Sequence, residues 1–489
     1  MTRDPRPAAT ASVAVSMLLL LAIPGTAAST EEAKEGPKEG LVAPGKFIPS
    51  FAVKYGGSQG WPILEQAVGF DLLDVSTGTA HSAVFADAQG NSWQHLKRLN
   101  PHQIVVFYEL GPTEYSTASW GSIGDGWEWL KAHHGSGSAD RWAAVGARYG
   151  DYLEPGTYSS ERLMVVGNPH WQQYWLDSVY AQLWTKAGAR GVGVDGIFSD
   201  NTQMTMIWLG HWFREGHHDQ PDIPTDYYTG DQHRPELWSQ GVTSFLNRAT
   251  PWLAQRGKKL VLNFGYMATR PGDWQVLDAQ PEPVFAAMEE GAFVHPWGRP
   301  GFNFYTEEQW LTQVRTMRSL QHVRALMNCH GIVRSEAQDI TRMEATDDRG
   351  TSAWDALWFC LTSFLQGYDD VRQNAYMNFT VWDYLRFFWL KEFDPRYLHL
   401  GRARGEMQRV VGQQGHVYLR EFDDGWVVVN PTTTDARGVA VPAGQARVLR
   451  HDTFEHAETQ PLVARFDLAS HRGLVLLREG CQVGNKDNR

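Results

Sequence analysis

Cysteine is scarce in this sequence. Only three occur among 489 residues: Cys329, Cys360 and Cys481. Cys329 and Cys360 lie within apolar segments, which is typical of plain core residues, and their spacing leaves open whether they form a bridge. The sequence therefore argues against a catalytic thiol nucleophile.

Positive charge and long apolar runs are also in short supply. The 44 Lys and Arg are outnumbered by 55 Asp and Glu, which gives a formal net charge of -11 and a pI near 5.9. A nucleic-acid partner would require a basic face, so we expect none. After the first 28 residues no segment has about 18 uninterrupted apolar residues, so the mature chain is predicted to lack an integral membrane segment.

Motifs for metals and cofactors are missing as well. Two His-His pairs, at 133–134 and 217–218, lack the His-x-x-x-His spacing that places two imidazoles on one helix face. Both pairs lie in connections rich in Gly, Asp and Pro, which favours surface loops. No phosphate loop or dinucleotide fingerprint follows a strand. We expect neither a bound metal nor a cofactor.

The amino terminus has the pattern of an export signal. Arg3 and Arg6 precede a short apolar stretch from Val13 to Ile23, and small residues follow it. Residues 1–28 are therefore predicted to be a signal peptide, and the polar residues 29–45 a flexible linker. The mature protein is expected to be exported, either secreted or periplasmic.

Short apolar strands then alternate with longer helical stretches. Helical patterns such as 169–188 and 238–257 end in or just before glycine, a common helix stop. Alternation of this kind predicts a parallel sheet, and eight units close into a (β/α)8 barrel, here over residues 46–404. The predicted strands lie in 46–56, 70–76, 102–111, 191–201, 258–265, 284–291, 323–331 and 354–367, the last being ambiguous between strand and helix.

A different pattern begins near residue 405. Short alternating strands lie within 416–422, 425–431, 436–442, 445–450 and 472–479, and "DDG" at 423–425 is a hairpin signal. Residues 405–489 are predicted to form a small antiparallel β domain that packs on the barrel as a sandwich.

Polar residues mark the carboxyl ends of the predicted barrel strands, where barrel chemistry is located. In "GVGVDGIFSDNTQ" (191–203), Asp200 shares one side of the strand with Phe198, so it should emerge at the barrel mouth, whereas Asp195 should face the helices. Other strand ends carry Glu109, Asn263, Glu289, Asn328 and His330. Together they predict a polar pocket.

The fourth strand also carries a resemblance. "GVDGIFSD" resembles the fourth-strand motif of alpha-amylase-type glycoside hydrolases, which implies that Asp200 is the nucleophile and Asp195 a structural aspartate. The sequence has Phe198 where that motif has arginine. With "LNFG", "AMEEG" and "VVVNPT", residues 46–450 more closely resemble a glycosyl-hydrolase-like (β/α)8-barrel family of bacterial exported proteins. The resemblance implies a glycoside hydrolase.

Glycosidic cleavage requires two carboxyl groups, one ionised and one protonated. Asp200 is the candidate for nucleophile or base, and Glu289, after apolar "FAAM", is preferred over Glu290 as the acid, with Glu109 in reserve. The 21 Trp and 17 Tyr offer flat surfaces for sugar rings. The candidates for binding a poly- or oligosaccharide are Tyr108, Glu109, Asn201, Asn263, Trp297, Asn328 and His330, with Trp208 as a further stacking residue.

Two alternatives remain open at this stage. One is a barrel that binds carbohydrate without turnover, and the other is a metal-dependent hydrolase on the same fold. The sequence also leaves retaining and inverting mechanisms open.

Overall fold

The structure, a computed structural model, describes most of the chain beyond the amino terminus. The described residues are 46–55, 64–75, 93–115, 130, 142–156, 161–180, 194–206, 212–229, 232–295, 297, 301–331, 343–344, 346–380, 384, 389–442 and 444–482. The predicted signal peptide and linker, Trp208 and the 133–134 histidine pair lie outside these residues.

Eight parallel strands form the central sheet. Each strand pairs with the next along the chain. The ring closes where Ser50 bridges to Met377, whose N–H donates to the Pro49 carbonyl at 2.9 Å. The strands are β1 (Phe51–Lys54), β2 (Leu72–Val75), β3 (Ile104–Leu110), β4 (Gly196–Asp200), β5 (Lys259–Asn263), β6 (Ala286–Glu290), β7 (Arg324–His330) and β8 (Ala375–Thr380).

In the described residues one α-helix lies between each pair of consecutive strands. Within the described residues they are α1 (Leu64–Gly69), α2 (Trp93–Leu99), α3 (Pro169–Tyr180), α4 (Pro235–Ala254), α5 (Pro271–Asp278), α6 (Glu307–Ser319) and α7 (Ala353–Gly367), with short 3-10 helices at Lys391–Phe393 and Phe454–Thr459. Capping boxes begin two of them: Thr306 with Gln309 at α6, and Ser352 with Asp355 at α7. No helix of the described residues is long and apolar enough to cross a membrane.

The eighth strand is not where the sequence predicted it. Residues 354–367 belong to α7, and the eighth strand is Ala375–Thr380. All residues of α7 from Ala356 to Gly367 are buried, because the helix packs on the barrel on one side and on the carboxyl-terminal sheet on the other. Most positions of this helix are apolar, and a long apolar run can be read either as a buried strand or as a buried helix.

The barrel has two apolar layers, one inside the ring and one between strands and helices. Alternate residues of each strand supply the two layers, because successive side chains point to opposite faces. The interior is filled by Phe51, Val53, Leu72, Ile104, Val106, Phe198, Val261, Ala286, Met288, Leu326 and Tyr376. A filled interior leaves polar side chains room only at the ends of the strands.

The segments that follow the carboxyl ends of β3, β4 and β6 contain further short strands. Thr113–Tyr115 pairs with Glu161–Leu163, and Leu153–Pro155 with Trp212–Arg214, which also pairs with His217–Asp222. The histidines at 217–218 are exposed on this last strand rather than in a loop. The other pairs are Tyr228–Thr229 with Gln232–His233 and Val294–His295 with Asn303–Phe304.

The carboxyl-terminal part of the chain is an antiparallel β structure. Its strands are β9 (Gln408–Val411), β10 (His416–Glu421), β11 (Gly425–Asn430), β12 (Ala436–Ala440), β13 (Ala446–Leu449), β14 (Leu462–Val463), β15 (Arg465–Leu468) and β16 (Arg472–Leu477). Six form one sheet, in the order β9-β10-β11-β16-β13-β14, and β12 pairs with β15 across a shared apolar core. The predicted fold, a (β/α)8 barrel with a small antiparallel β domain, is confirmed.

A disulfide joins the barrel to α7. Cys329 on β7 is bonded to Cys360 on α7, with their Cα atoms 6.4 Å apart, and both side chains are fully buried. The bond links two elements 31 residues apart in sequence. It ties the strand that carries Asn328 and His330 to the helix that supports the β domain.

We predict that the double substitution Cys329→Ala with Cys360→Ala lowers the free energy of unfolding by about 2–5 kcal/mol, because the open chain regains the entropy that the closed loop had removed. Urea denaturation monitored by tryptophan fluorescence measures this. Cys481→Ala, outside the disulfide, is the control and should shift the curve little. Equal losses in the two proteins would contradict the prediction.

Candidate active site

Asp200 reaches the barrel mouth because of the alternation along β4. Phe198, two residues earlier, lies in the barrel interior, so Asp200 follows it on the same face. The strand begins at Gly196, where a Cβ would lie 2.1 Å from the Lys259 carbonyl oxygen of the next strand. Glycine therefore allows β4 and β5 to pair closely at their start.

Asp195 occupies the opposite end and face of this segment. Its Oδ2 accepts a hydrogen bond from the Val105 N–H at 2.7 Å and contacts the Lys97 ammonium of α2. The side chain thus ties β4 to β3 and to an outer helix. Both contacts lie away from the barrel mouth, as expected for a structural aspartate.

Three donors surround the Asp200 carboxylate. The Tyr108 hydroxyl donates to Oδ2 at 2.7 Å, while the Asn263 amide and the Asn201 N–H each donate to Oδ1 at 2.9 Å. Asn201 has a positive φ of 56°, which turns its backbone toward the preceding carboxylate. Burial raises the pKa of Asp200, and the donors oppose that shift by stabilising the charged form.

Glu290 and Asp200 share one hydrogen-bond donor, the side-chain amide of Asn263. Ala286 and Met288 lie in the barrel interior, so Glu290 follows them to the mouth. The Asn263 amide nitrogen donates to Glu290 Oε2 at 3.0 Å as well as to Asp200. The two acceptor oxygens therefore lie no farther apart than these 2.9 Å and 3.0 Å bonds laid end to end, about 5.9 Å.

Glu289 points the other way. Its Oε2 accepts a hydrogen bond from the Met267 N–H at 2.6 Å, behind β6 and away from Asp200. Burial raises the pKa of Glu289 to about 8. The structure places Glu290, not the predicted Glu289, beside Asp200, because the inward face of β6 is the one that carries Ala286 and Met288.

Polar groups from β7 and β8 complete this side of the mouth. Asn328 Nδ2 lies 3.1 Å from His330 Nε2 and donates to the Tyr384 hydroxyl at 3.1 Å, while Asn378 donates to Asn328 Oδ1 at 2.9 Å. The Tyr384 hydroxyl donates to Glu290 Oε1 at 2.6 Å. Burial lowers the pKa of His330 to about 3, so its imidazole is neutral at neutral pH.

Of the remaining predicted residues, some lie at the barrel mouth and one lies between the strands and the outer helices. Tyr108 faces the mouth, whereas Glu109 shares the outward side of β3 with Val105 and Phe107 and is buried there. Trp297 is exposed, with its ring 6.3 Å from that of His330. Of the predicted site residues, the structure gathers Tyr108, Asp200, Asn201, Asn263, Asn328 and His330 around Glu290, with Trp297 at the edge.

Sequence reasoning missed four further residues at this site: Tyr55, Asp74, Glu161 and Tyr384. On β2, Asp74 accepts a hydrogen bond from the Tyr55 hydroxyl; burial, and after it the charge of Asp200, raises the Asp74 pKa. Glu161 accepts from the Thr113 hydroxyl at 2.7 Å, and burial raises its pKa to about 8. Asp74 stands near a strand end and was detectable by the rule that found Asn263. Glu161 and Tyr384 lie outside the barrel strands, where that rule gives no signal.

The residues present are carboxyl, amide, phenol and neutral imidazole groups. In the described part of the chain no group of three or more His, Cys, Asp or Glu is arranged to hold a metal ion. The cluster offers one carboxylate held by three donors and a second carboxyl within about 5.9 Å. Such a pair can attack one side of a bond and protonate the other.

A family model described as hypothetical glycosyl hydrolase family 15 matches residues 97–426, well over half of the chain. The chain belongs to this family. The match begins within α2, spans β3 to β8 and ends at the start of β11, so it includes Asp200 and Glu290. A search of curated proteins found no match to the sequence.

Several solved structures are similar in outline. A point mutant of the trehalulose synthase MUTB, from crystals soaked with trehalulose, is 10% identical, with 89% of this chain and 100% of that chain covered and a TM-score of 0.44. The alpha-galactosidase AgaB of Geobacillus stearothermophilus is 8% identical (85% and 52%, TM-score 0.39), and a xylosidase of Aspergillus niger 9% (89% and 65%, TM-score 0.42). The chain thus spans about half of the galactosidase. No reaction or substrate follows for this chain from these similarities.

We predict that Glu289→Gln stabilises the protein increasingly as the pH rises. Unfolded Glu289 loses its proton near its ordinary pKa, but the folded side chain keeps it until about pH 8. Between these values the folded state binds the extra proton, so the wild-type free energy of unfolding falls with pH, by up to about 1.4 kcal/mol per unit. Glutamine has no proton to lose.

Urea denaturation of both proteins at pH 5, 6, 7 and 8 measures the difference. Glu308→Gln, an exposed position on α6, is the matched control and should show no pH-dependent gain. Parallel curves for wild type and Glu289→Gln would refute the prediction.

Proposed function

We propose that this protein is a glycoside hydrolase that cleaves an O-glycosidic bond in a poly- or oligosaccharide, with Asp200 as the nucleophile and Glu290 as the general acid. The observation that carries the proposal is the Asn263 amide, which donates to both carboxyl groups at 2.9 Å and 3.0 Å. It holds them at one mouth, close enough to flank a single bond. Membership of a glycosyl hydrolase family supports the reaction class.

Asp200 is suited to the ionised role. Its three donors compensate part of the cost of desolvating a charge and so favour the carboxylate form. Among the residues that the structure describes, the Tyr108 hydroxyl is the one donor to Oδ2. We assign that oxygen to attack at the anomeric carbon, with the Asn263 and Asn201 donors fixing the other.

Glu290 is suited to the protonated role. Burial raises its pKa, the Tyr384 hydrogen bond opposes the shift, and the charge of Asp200 raises it again. Glu290 would give its proton to the glycosidic oxygen as the bond breaks. Once Asp200 is esterified its charge is gone, so the pKa of Glu290 falls and the carboxylate can take a proton from the incoming water.

The amino-terminal pattern supports an extension of the proposal to location. Arg3, Arg6 and the apolar stretch that follows them are typical of an export signal. We propose that the substrate is met outside the cytoplasm.

We predict that Asp200→Asn lowers turnover by more than about 10³-fold, since the amide cannot form the ester intermediate. Glu290→Gln should lower kcat by about 10²–10⁴-fold on natural sugars and much less on glycosides with activated leaving groups, which need no protonation. Reducing-end release from a panel of poly- and oligosaccharides, followed by steady-state kinetics on the best substrate, measures both.

Glu289→Gln is the matched control, because the same change one residue away leaves the mouth untouched. It should keep most of the wild-type activity. Full activity in Asp200→Asn would overturn the proposal. Sugar binding by the wild type without any product would show a carbohydrate-binding barrel instead.

We also predict retention of anomeric configuration. Carboxyl groups about 5–5.5 Å apart suit a covalent intermediate, whereas inversion needs about 6.5–9.5 Å to admit a water, and the bridged oxygens here lie within about 5.9 Å. Proton NMR of the first-formed anomer, recorded before mutarotation, measures the outcome. An inverted product would show that Asp200 activates water rather than attacking the sugar.

A further inference from the structure

Trp297 is the one exposed tryptophan among the tryptophan side chains that the structure describes, with 48% of its surface accessible. Its indole stacks on the His295 ring at 6.1 Å, with an angle of 21° between the planes. The ring of His330 lies 6.3 Å away on another side. The indole is thus supported by two imidazoles and keeps a large apolar surface toward solvent.

Gly291, the residue after Glu290, provides the seat for this indole. A Cβ at Gly291 would lie 2.6 Å from Trp297 Cζ3 and 2.9 Å from the His295 Cβ. The φ of Gly291 is +100°, in the region that favours glycine. The indole therefore rests against bare backbone one residue beyond the candidate acid, and any side chain at this position would displace it.

Trp297 lies on the acid's side of the mouth. From Glu290, the Tyr384 hydroxyl is 2.6 Å away, and the Tyr384 ring is 6.0 Å from His330, which borders Trp297. Asp200 and Tyr108 lie on β4 and β3, on the far side of Asn263. The order around the mouth is therefore nucleophile, amide bridge, acid and indole.

This order has a chemical consequence. A general acid protonates the oxygen that joins the attacked sugar to its leaving group, so the leaving group lies beyond the acid. A flat, exposed indole presents an apolar face of the size of a pyranose ring, with its N–H as a polar edge. We propose, on the basis of the proposed function, that Trp297 binds the leaving-group sugar. The substrate then carries a sugar on both sides of the cleaved bond.

The test compares two leaving groups on the same attacked sugar. One substrate is the best oligosaccharide from the panel, and the other is the corresponding glycosyl fluoride, whose leaving group is too small to reach an indole. Trp297→Ala should lower kcat/KM for the oligosaccharide about tenfold or more, the ratio expected when about 1.4 kcal/mol of binding is lost, and change kcat/KM for the fluoride less than about twofold.

Two further variants separate stacking from folding. Gly291→Ala, which pushes the indole from its seat, should reproduce the selective loss, and Trp297→Phe, which keeps a flat ring, should restore part of the activity. Trp252→Ala is the matched control, since Trp252 packs under Arg256 at the end of α4 that leads into β5, opposite the mouth. It should affect neither substrate.

An equal loss on both substrates in Trp297→Ala would overturn the inference, as would undiminished oligosaccharide cleavage. Either result leaves the proposed function standing if fluoride turnover is still abolished by Asp200→Asn. Fluoride turnover that survives Asp200→Asn would instead refute the proposed function, whatever Trp297→Ala does.

Discussion

The arrangement of this protein depends on the closure of eight parallel strands. The first and last strands meet where the Met377 N–H donates to the Pro49 carbonyl, beside the bridge between Ser50 and Met377. Each strand must then send alternate side chains inward, where large apolar groups fill the interior. Polar side chains of the inward series are displaced to the strand ends. Asp200, Asn263 and Glu290 meet because they end three consecutive inward series, on β4, β5 and β6.

Alternation also explains what the sequence could and could not predict. Asp200 was predictable because Gly196, Phe198 and Asp200 stand on one side of a strand with a clear start. The sequence could not show whether Glu289 or Glu290 points into the barrel mouth, because "FAAMEE" places apolar residues on both faces of the strand. The eighth strand was hidden by α7, whose burial on all sides imitates a buried strand. Tyr384, which donates to Glu290, follows the observed eighth strand, Ala375–Thr380, and carried no signal of its own.

The electrostatics of the mouth follow from placing several acids close together. Asp74 is buried, Asp200 and Glu290 are half-buried, and the charge of Asp200 contributes to raising the pKa of the other two. Among the described residues the Asp200 carboxylate accepts hydrogen bonds from one phenol, one amide and one backbone N–H, and these donors oppose the rise in its pKa. In the proposed reaction, hydrogen bonding thus favours the charged form of Asp200, the carboxyl group proposed to attack.

The proposed catalytic pair, Asp200 and Glu290, depends on asparagine at position 263. A lysine there would stabilise both carboxylates and lower the pKa of Glu290, removing the proton that an acid must give. A carboxylate would add a third like charge, and an apolar residue would leave the oxygens to repel each other. The amide has two N–H donors and no charge, so it can hold two carboxyl groups close together without making their pKa values equal. A neutral bridge on β5, between the strands that carry the two acids, therefore preserves the difference in protonation on which the proposed reaction depends.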